Sequence, residues 1–229
     1  MKIIHTSDWH LGQNFFEYDR RDEHCSMVNQ LVELVKCEKP DALVIAGDIY
    51  DIPAPGISVQ KEFAEYMVAL HTGCPQMKII CISGNHDSAS RLEIYSTIWA
   101  HLNVHIIGRI ERNQKGEIDF RRHIIPIQDK GYIVALPHVF PQNYPLLEEN
   151  TPREERQTAF LQAMDKQVKD INTEKKPIVV AAHMAISGSD TEGHDLVRGN
   201  MDFVDADKLN IDFDYLALGH IHCPQNIKG

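Results

Sequence analysis

Short apolar segments rich in β-branched residues alternate along this chain with longer amphipathic segments, a pattern that leaves few folds open to it. Strands are predicted at residues 2–6, 42–46, 78–82, 132–136, 177–182 and 215–218. Several of these strands are apolar throughout and are joined by helical segments, which is typical of a largely parallel sheet buried on both faces. The pattern therefore predicts an α/β fold.

Four helices are predicted where apolar residues recur at helical spacing, at about residues 20–36, 59–71, 90–102 and 151–172. The fourth has the strongest start signal, because Thr151 as N-cap, Pro152 at the first helical position and Glu154 together form a capping box. Residues 109–122 are predicted to form a hairpin excursion and residues 137–151 a loop. Neither segment has the composition of a domain linker.

Residue types that bind metal ions follow five of the six predicted strands. They are Asp8 and His10, then Asp48, then Asn85 and His86, then His183, and finally His220 and His222. Ligands bind at the carboxyl ends of the strands in such sheets, so these side chains are expected to converge. The spacing of two in Asp8/His10 and in His220/His222 places both side chains of each pair on the same side of extended backbone. Glycines at positions 47, 84 and 219 permit sharp turns at the strand ends.

Each of these signals is weak when it stands alone. A single histidine at a strand end is more often a hydrogen-bonding residue than a ligand, and a single Gly-Asp is usually only a turn. The occurrence of such residues directly after five of the predicted strands favours a site for two metal ions. Five of the 13 histidines are candidates by this pattern. The other eight, among them His5, His71, His101 and His123, have no spacing that would bring them together. His194, in a glycine-containing loop, is a further candidate.

Charge and cysteine content narrow the function classes. The chain has 23 Lys and Arg residues against 33 Asp and Glu residues, a net charge of −10, which excludes nucleic-acid binding by bulk charge alone. Its five cysteines form no C-x-x-C pair, which argues against a disulfide framework and a structural zinc site. The start of the chain does not read as a secretory signal, and the apolar runs are far below the ~18 residues that span a bilayer. A cytoplasmic protein with no membrane role is expected.

The ordered motifs H-T-S-D-W-H-L-G, G-D-I-Y-D, G-N-H-D, a histidine after V-V-A-A, and G-H-I-H resemble those of the calcineurin-like metallophosphoesterase superfamily. Within it, residues 5–12 and the fused G-D-x-x-D are most similar to the SbcD-type nuclease subunits of bacteria, relatives of the double-strand-break repair nucleases of archaea and eukaryotes. The resemblance covers the whole chain. It implies a four-layer α/β/β/α sandwich of two mixed sheets, in place of the single parallel sheet that the strand pattern predicts.

The resemblance also implies a role for each motif residue. One ion would be bound by Asp8, His10, Asp48 and His222, and the other by Asp48, Asn85, His183 and His220. Asp48 would then bridge the two ions. His86 would bind no metal and would orient the phosphate or protonate the leaving oxygen. Asp51 stands where many relatives outside bacteria have histidine, so an outer-shell role is expected for it, and Asp87 is expected to orient His86 from outside the ligand shell.

The chemistry of the ligands points in the same direction as the resemblance. Mixed oxygen and imidazole donors favour Mn²⁺, Fe²⁺ or Zn²⁺ over Ca²⁺, and two Mn²⁺ ions are expected. Two ions about 3.5 to 4 Å apart activate a water molecule for in-line attack on phosphorus. Two carboxylates against two divalent ions leave a charge of about +2 in the cleft, so an acidic chain can still attract a phosphodiester locally.

The main hypothesis is a two-metal DNA nuclease, an exonuclease or endonuclease of double-strand-break repair and recombination, working with an SbcC-like ATPase. The alternatives are a small-molecule phosphatase or cyclic-nucleotide phosphodiesterase, and a catalytically idle scaffold. Residues 1–229 are expected to form the nuclease domain, without its last strands and the C-terminal capping domain. A homodimer is expected through the second and third predicted helices, with an exposed apolar patch of Tyr66, Leu70, Tyr95, Ile98 and Trp99.

Overall fold

The computed structural model describes residues 1–145, 147, 151–190 and 212–227. In chain order these residues form β1 (Ile3–Thr6), β2 (Asn14–Phe15), β3 (Tyr18–Asp19), α1 (Arg21–Glu38), β4 (Ala42–Ala46), α2 (Ile57–Gly73), β5 (Lys78–Ile82), α3 (Ala89–Leu92), α4 (Ser96–Ala100), β6 (Val104–Ile107), β7 (Ile124–Pro126), β8 (Tyr132–Leu136), a 3₁₀ turn (Pro141–Asn143), α5 (Arg153–Ile171), β9 (Ile178–His183) and β10 (Tyr215–Gly219). The candidate residue His194 lies outside the described residues.

Two four-stranded sheets make up the centre of the molecule. The N-terminal sheet has the order β1-β4-β5-β6, and all its described pairs are parallel. The C-terminal sheet has the order β10-β9-β8-β7, in which β7 pairs with β8 in the antiparallel direction and the other pairs are parallel. The single sheet predicted from the strand pattern is therefore wrong, whereas the two-sheet α/β fold implied by the resemblance is confirmed.

The strand side chains divide among three apolar cores. In β4, Leu43 and Ile45 pack toward helices α1 and α2, whereas Val44 packs toward the other sheet, as the two-residue period of a strand requires. Helix α5 covers the outer face of the C-terminal sheet through Phe160 and Met164, which belong to a separate apolar cluster. The molecule thus has four layers in the order α/β/β/α.

Two of the predicted helices differ from the observed ones. The segment predicted as one helix at residues 90–102 is two short helices, and the break follows Leu92, where the buried Glu93 carboxylate accepts a hydrogen bond from Gly108 N at 2.8 Å and pairs with Arg109. The capping box predicted at the start of α5 is wrong. Pro152 is the N-cap with extended backbone, and there is no side-chain capping hydrogen bond. The one-residue shift removes the N-cap-to-N3 relation that a capping box needs.

The apolar surface on α2 and α4 is also narrower than predicted. Leu70 is fully buried, and Trp99 packs against the core with its ring 6.1 Å from that of Phe63. Tyr95 and Ile98 are exposed as expected, at 55% and 62%. Among the helices of the described ranges, none is both long enough and apolar enough to cross a bilayer.

Candidate metal centre

The carboxyl ends of strands from both sheets meet at one edge of the sandwich, and the predicted ligands lie there. Three overlapping groups have their ligand atoms within 4.8 Å of one another: Asp8, His10 and His222; His10, Asp48 and His86; and Asp48, His183 and His220. His10 and Asp48 each belong to two groups, so the three groups form one continuous cluster. Strands β1, β4 and β5 supply one side of this cluster, and β9 and β10 supply the other.

Several of these side chains are held on strained backbone. Asp8, His10, Asp48 and His220 have positive φ angles of 53°, 46°, 46° and 92°, a region that residues with a Cβ atom rarely occupy. Backbone hydrogen bonds between the loops that follow β1 and β4 maintain this strain. Asp8 N donates to Gly47 O and His10 N donates to Asp48 O, both at 3.0 Å. Backbone strain of this kind costs on the order of 1–3 kcal/mol per residue and is concentrated at functional sites.

Glycine is required at two of the strand exits. Gly47 has φ +89°, and a Cβ atom there would lie 2.1 Å from Nδ1 of His183. A Cβ atom at Gly84 would lie 2.0 Å from Oδ1 of Asp48. Both distances are far shorter than any real contact of a Cβ atom, so any side chain at these positions would displace a predicted ligand.

The first group of ligands lies at the more open end of the cluster. The Nε2 atoms of His10 and His222 are 3.2 Å apart, and His222 Nε2 lies 3.7 Å from Asp8 Oδ1. His10 is buried, whereas the His222 side chain is 54% exposed. The end of this group that carries His222 is therefore accessible to solvent.

The group of Asp48, His183 and His220 is buried more deeply. His183 Nε2 lies 3.4 Å from Asp48 Oδ2 and 3.0 Å from Asn85 Oδ1, and His220 Nδ1 lies 3.0 Å from the same Asn85 oxygen. His183 Nδ1 donates to the Ala46 carbonyl at 2.8 Å, which fixes the ring with Nε2 toward the cluster. With Asn85 placed here, the structure brings together all seven residues that were predicted as ligands.

Asp48 and His183 form the electrostatic centre of the cluster. Burial by itself would raise the pKa of Asp48. The hydrogen bond and charge of His183, together with the bond from His86 N and the charge of His10, lower that pKa well below its usual value. Burial likewise disfavours the charged His183 ring, yet its contact with Asp48 raises the pKa of His183 to about 9. The proton on His183 therefore occupies a position that a divalent cation would take over.

Asp51 and His86 lie against the buried cluster. His86 N donates to Asp48 Oδ1 at 2.9 Å, and His86 Nδ1 donates to the Asp51 carbonyl at 2.8 Å. The carboxylate of Asp51 lies 3.3 Å from Nδ1 of His10. Asp51 thus contacts two predicted active-site imidazoles, one through its side chain and one through its backbone.

Asp87 makes contacts other than the predicted one to His86. Its buried carboxylate accepts hydrogen bonds from the backbone N–H groups of Ile49, Tyr50 and Gly84 at 3.1, 2.9 and 2.8 Å. Burial raises the pKa of Asp87 to about 6, although these hydrogen bonds oppose the shift. Asp87 therefore joins the backbone of the two loops that carry Asp48 and Asn85, while the His86 ring is oriented by Asp51.

A family model described as calcineurin-like phosphoesterase matches residues 1–224 of this sequence. The chain belongs to the calcineurin-like phosphoesterase family. The SbcD subunit of nuclease SbcCD from Rhodobacter capsulatus is 31% identical, over 100% of this chain and 60% of the relative. Proteins of the same name from Escherichia coli (strain K12) and Bacillus subtilis are 28% and 29% identical, each over 100% of this chain and 58% of the relative. The similarity to SbcD-type subunits that the motifs indicate is confirmed.

This phosphoesterase chain spans 58–60% of the length of those curated relatives. Among solved structures, the crystal structure of Pseudomonas putida nuclease MPE aligns over 79% of this chain and 61% of that chain, at 13% identity and a TM-score of 0.32. The family assignment does not depend on that alignment.

The donor atoms at the phosphoesterase cluster fit divalent transition-metal ions. Carboxylate, amide and imidazole groups suit Mn²⁺, Fe²⁺ and Zn²⁺, and none of the three groups of ligand atoms contains a cysteine. The facing Nε2 atoms of His10 and His222, 3.2 Å apart, are close enough to share one cation. The residues present therefore fit the metal ions that this family implies.

The sequence analysis missed one residue at the cluster. His138 follows β8, and its ring centroid lies 5.9 Å from that of His183 and 6.2 Å from that of His220. It comes two residues after the end of a correctly predicted strand, the position that singled out the other site residues. Extending the prediction to the residues after this fourth predicted strand would have found it.

The raised pKa of His183 predicts that the affinity for a divalent ion increases with pH. Since that pKa is about 9, the proton is bound at neutral pH, and an ion that coordinates the imidazole has to displace it. We expect apparent affinity to rise from pH 6.5 toward pH 9, with a net release of about one proton per His183 site near pH 7.5. Mn²⁺ calorimetry in two buffers with different ionisation enthalpies measures this number. Identical heats in both buffers would contradict the assignment of His183 as a ligand.

Proposed function

We propose that this phosphoesterase is a two-metal nuclease that hydrolyses phosphodiester bonds in DNA, and that residues 1–229 form its nuclease domain. The observation that carries the proposal is the position of Asp48. One oxygen of its carboxylate lies 3.7 Å from Nε2 of His10 and 3.4 Å from Nε2 of His183, so it faces both groups of ligands. A carboxylate shared between two ligand groups is what a dinuclear site requires.

The proposed ligands divide into two sets that share this carboxylate. The first ion is assigned to Asp8, His10, Asp48 and His222, and the second to Asp48, Asn85, His183 and His220. We propose Mn²⁺ for both positions because the donor atoms are a mixture of oxygen and imidazole nitrogen. When bound, two such ions polarise the phosphoryl oxygens and lower the pKa of water.

His86 is the proposed source of the proton for the leaving oxygen. Its Nδ1–H bond to the Asp51 carbonyl fixes the ring, so that Nε2 is the nitrogen available to the substrate. Its backbone bond to Asp48 Oδ1 ties the position of the ring to that of the bridging carboxylate. In this role the imidazolium donates the Nε2 proton as the P–O bond breaks, and it regains a proton from water.

DNA is the proposed substrate because the aligned relatives are named as nuclease subunits. The name SbcCD describes a nuclease of more than one subunit, so we propose an SbcC-like ATPase as the partner. Activity on double-strand breaks in repair and recombination follows from this partnership. The open end of the cluster at His222 gives a phosphodiester access to the site.

A metal-dependence assay tests the proposed function. The protein is stripped with EDTA, and Mn²⁺ is added back. Cleavage is then compared on single-stranded DNA, duplex ends, bis-p-nitrophenyl phosphate, the monoester p-nitrophenyl phosphate and a cyclic nucleotide. We expect Mn²⁺-dependent cleavage of DNA and of the phosphodiester. Hydrolysis confined to phosphomonoesters or cyclic nucleotides would indicate a small-molecule enzyme. Two bound ions without hydrolysis of any substrate would indicate an idle scaffold.

We also propose a homodimer formed by the exposed apolar surface where α3 is followed by α4. Ile94 and Tyr95, between the two helices, are 67% and 55% exposed, and Ile98 on α4 is 62% exposed. A two-fold axis would pack two copies of this apolar surface against each other. Ile98→Glu is expected to convert a dimer to a monomer in analytical ultracentrifugation, with Ile57→Glu as an exposed control on α2. A wild-type protein that sediments as a monomer would reject this interface.

A further inference from the structure

His138 makes hydrogen bonds to both sheets beside the candidate metal centre. Its backbone N–H donates to the carbonyl of Ser83 at 2.8 Å, at the exit of β5 in the N-terminal sheet. Its ring Nδ1 donates to the carbonyl of His183 at 3.2 Å, at the end of β9 in the C-terminal sheet. Ser83 precedes Asn85 by two residues, so the two bonds reach the backbone on either side of the second ion's proposed ligands.

The orientation of the His138 ring is well determined by these contacts. A carbonyl oxygen only accepts a hydrogen bond, so Nδ1 of His138 carries the proton. The ring also packs edge-on against Phe140, with centroids 4.7 Å apart. No hydrogen-bond partner for Nε2 occurs within the described ranges. The bond made by Nδ1 is therefore the polar contact that the side chain contributes.

The ring of His138 lies just outside the ligand shell. The ring centroids of His183 and His220 are 5.1 Å apart, and their ligand atoms group with Asp48. The corresponding distances from His138 to these two rings are 5.9 and 6.2 Å, and its nitrogens belong to none of the three groups of ligand atoms. His138 is thus placed to act on the ligands rather than as one of them.

We propose that His138 is a positioning residue, whose Nδ1–H bond to the His183 carbonyl keeps His183 at the distance from Asn85 that the second ion requires. This inference rests on the proposed assignment of His183 and Asn85 to one ion. Groups that orient ligands from outside the shell typically change metal affinity by about 10- to 100-fold when they are removed. The effect is selective, because the first ion's set contains neither residue.

Two substitutions separate the bond of Nδ1 from the other properties of the ring. The amide nitrogen of asparagine is attached to Cγ, as Nδ1 is, and it can donate the same bond to His183. The amide of glutamine lies one atom further along the chain, near the position of Nε2, and cannot. His138→Gln is therefore expected to weaken the binding of the second Mn²⁺ ion by about 10- to 100-fold. The affinity of His138→Asn for this ion is expected to stay within about threefold of that of the wild type.

Calorimetric titration with Mn²⁺ gives the two affinities, and electron paramagnetic resonance distinguishes spin-coupled Mn²⁺ pairs from single ions. We expect coupled pairs at lower Mn²⁺ concentration in wild type and His138→Asn than in His138→Gln. Unfolding temperatures in EDTA show whether all three proteins fold equally well. If His138→Gln does not fold, His138→Met, which fills similar volume without a donor, replaces it.

Two results would overturn the inference. One is wild-type affinity for both ions in His138→Gln, and the other is a defect in His138→Asn that equals the defect in His138→Gln. These results are separate from failure of the proposed function, in which the wild-type protein binds two ions but cleaves no phosphodiester.

Discussion

Replacing Asp48 with alanine is expected to lower phosphodiester hydrolysis by at least about 10³-fold and to weaken the binding of both ions. The carboxylate faces His10 and His183 through one oxygen, and a backbone bond from His86 reaches the other. In the proposed two-ion site, removing it would leave each ion with one fewer anionic ligand and would separate the two sites. A 10³-fold decrease in rate corresponds to a loss of about 4 kcal/mol of transition-state stabilisation. This loss is within the several kcal/mol that metal ions supply.

His222→Ala is the matched comparison for Asp48→Ala. His222 belongs to one group of ligand atoms only, so its loss is expected to weaken one ion while the other binds nearly as before. Asp22→Ala, which removes an exposed carboxylate on α1, should leave both affinities unchanged. Mn²⁺ calorimetry of the four proteins measures these differences. If Asp48→Ala retained one site with wild-type affinity, the bridging assignment would be wrong.

Replacing His86 with alanine is expected to reduce turnover by about 10²- to 10⁴-fold, the usual contribution of a positioned acid. The proposed ion sets do not include His86, so metal content should stay close to two ions per chain. His101→Ala, at an exposed histidine outside the cluster, is the control and should have wild-type activity. Stopped-flow kinetics together with metal analysis of each purified protein gives both quantities.

The position of His86 makes the metal analysis decisive. A ligand atom of His86 groups with those of His10 and Asp48 within 4.8 Å, so coordination by His86 is geometrically close. If His86→Ala lost an ion, His86 would be a ligand rather than an acid. If the rate of this variant were near normal, His86 would have no part in the chemistry.

Much of the local structure follows from the sequence. The bounds predicted for β4, β5 and β8 agree with the observed strands, because these segments are almost entirely apolar and are bounded by Gly, Pro, Asp or Ser residues. The residues of the candidate metal centre could be predicted for the same reason. Each follows a recognisable strand, and parallel strands bring their carboxyl ends to one edge.

Other features depend on contacts between distant residues. The partition of six similar apolar segments into two sheets is decided by which strands pair, and the strand pattern alone allowed a single sheet. The carboxylate of Asp87 is an example at the site, because its contacts to Ile49 and Tyr50 join residues 38 and 37 positions apart. Nothing local to the G-N-H-D motif indicates those partners.

The sequence by itself determined the α/β class, the strand ends that carry the predicted ligands, and the family, because each depends on residue type and short-range spacing. The tertiary structure decided how the two sheets share the site, with Asp48 between predicted ligands that follow β1 and end β9, and which backbone groups His138 and Asp87 contact. These depend on the packing of the two sheets face to face across the core formed by alternate side chains of the strands. Residues 137 positions apart in different sheets, such as Ala46 and His183, come into contact only when that core forms.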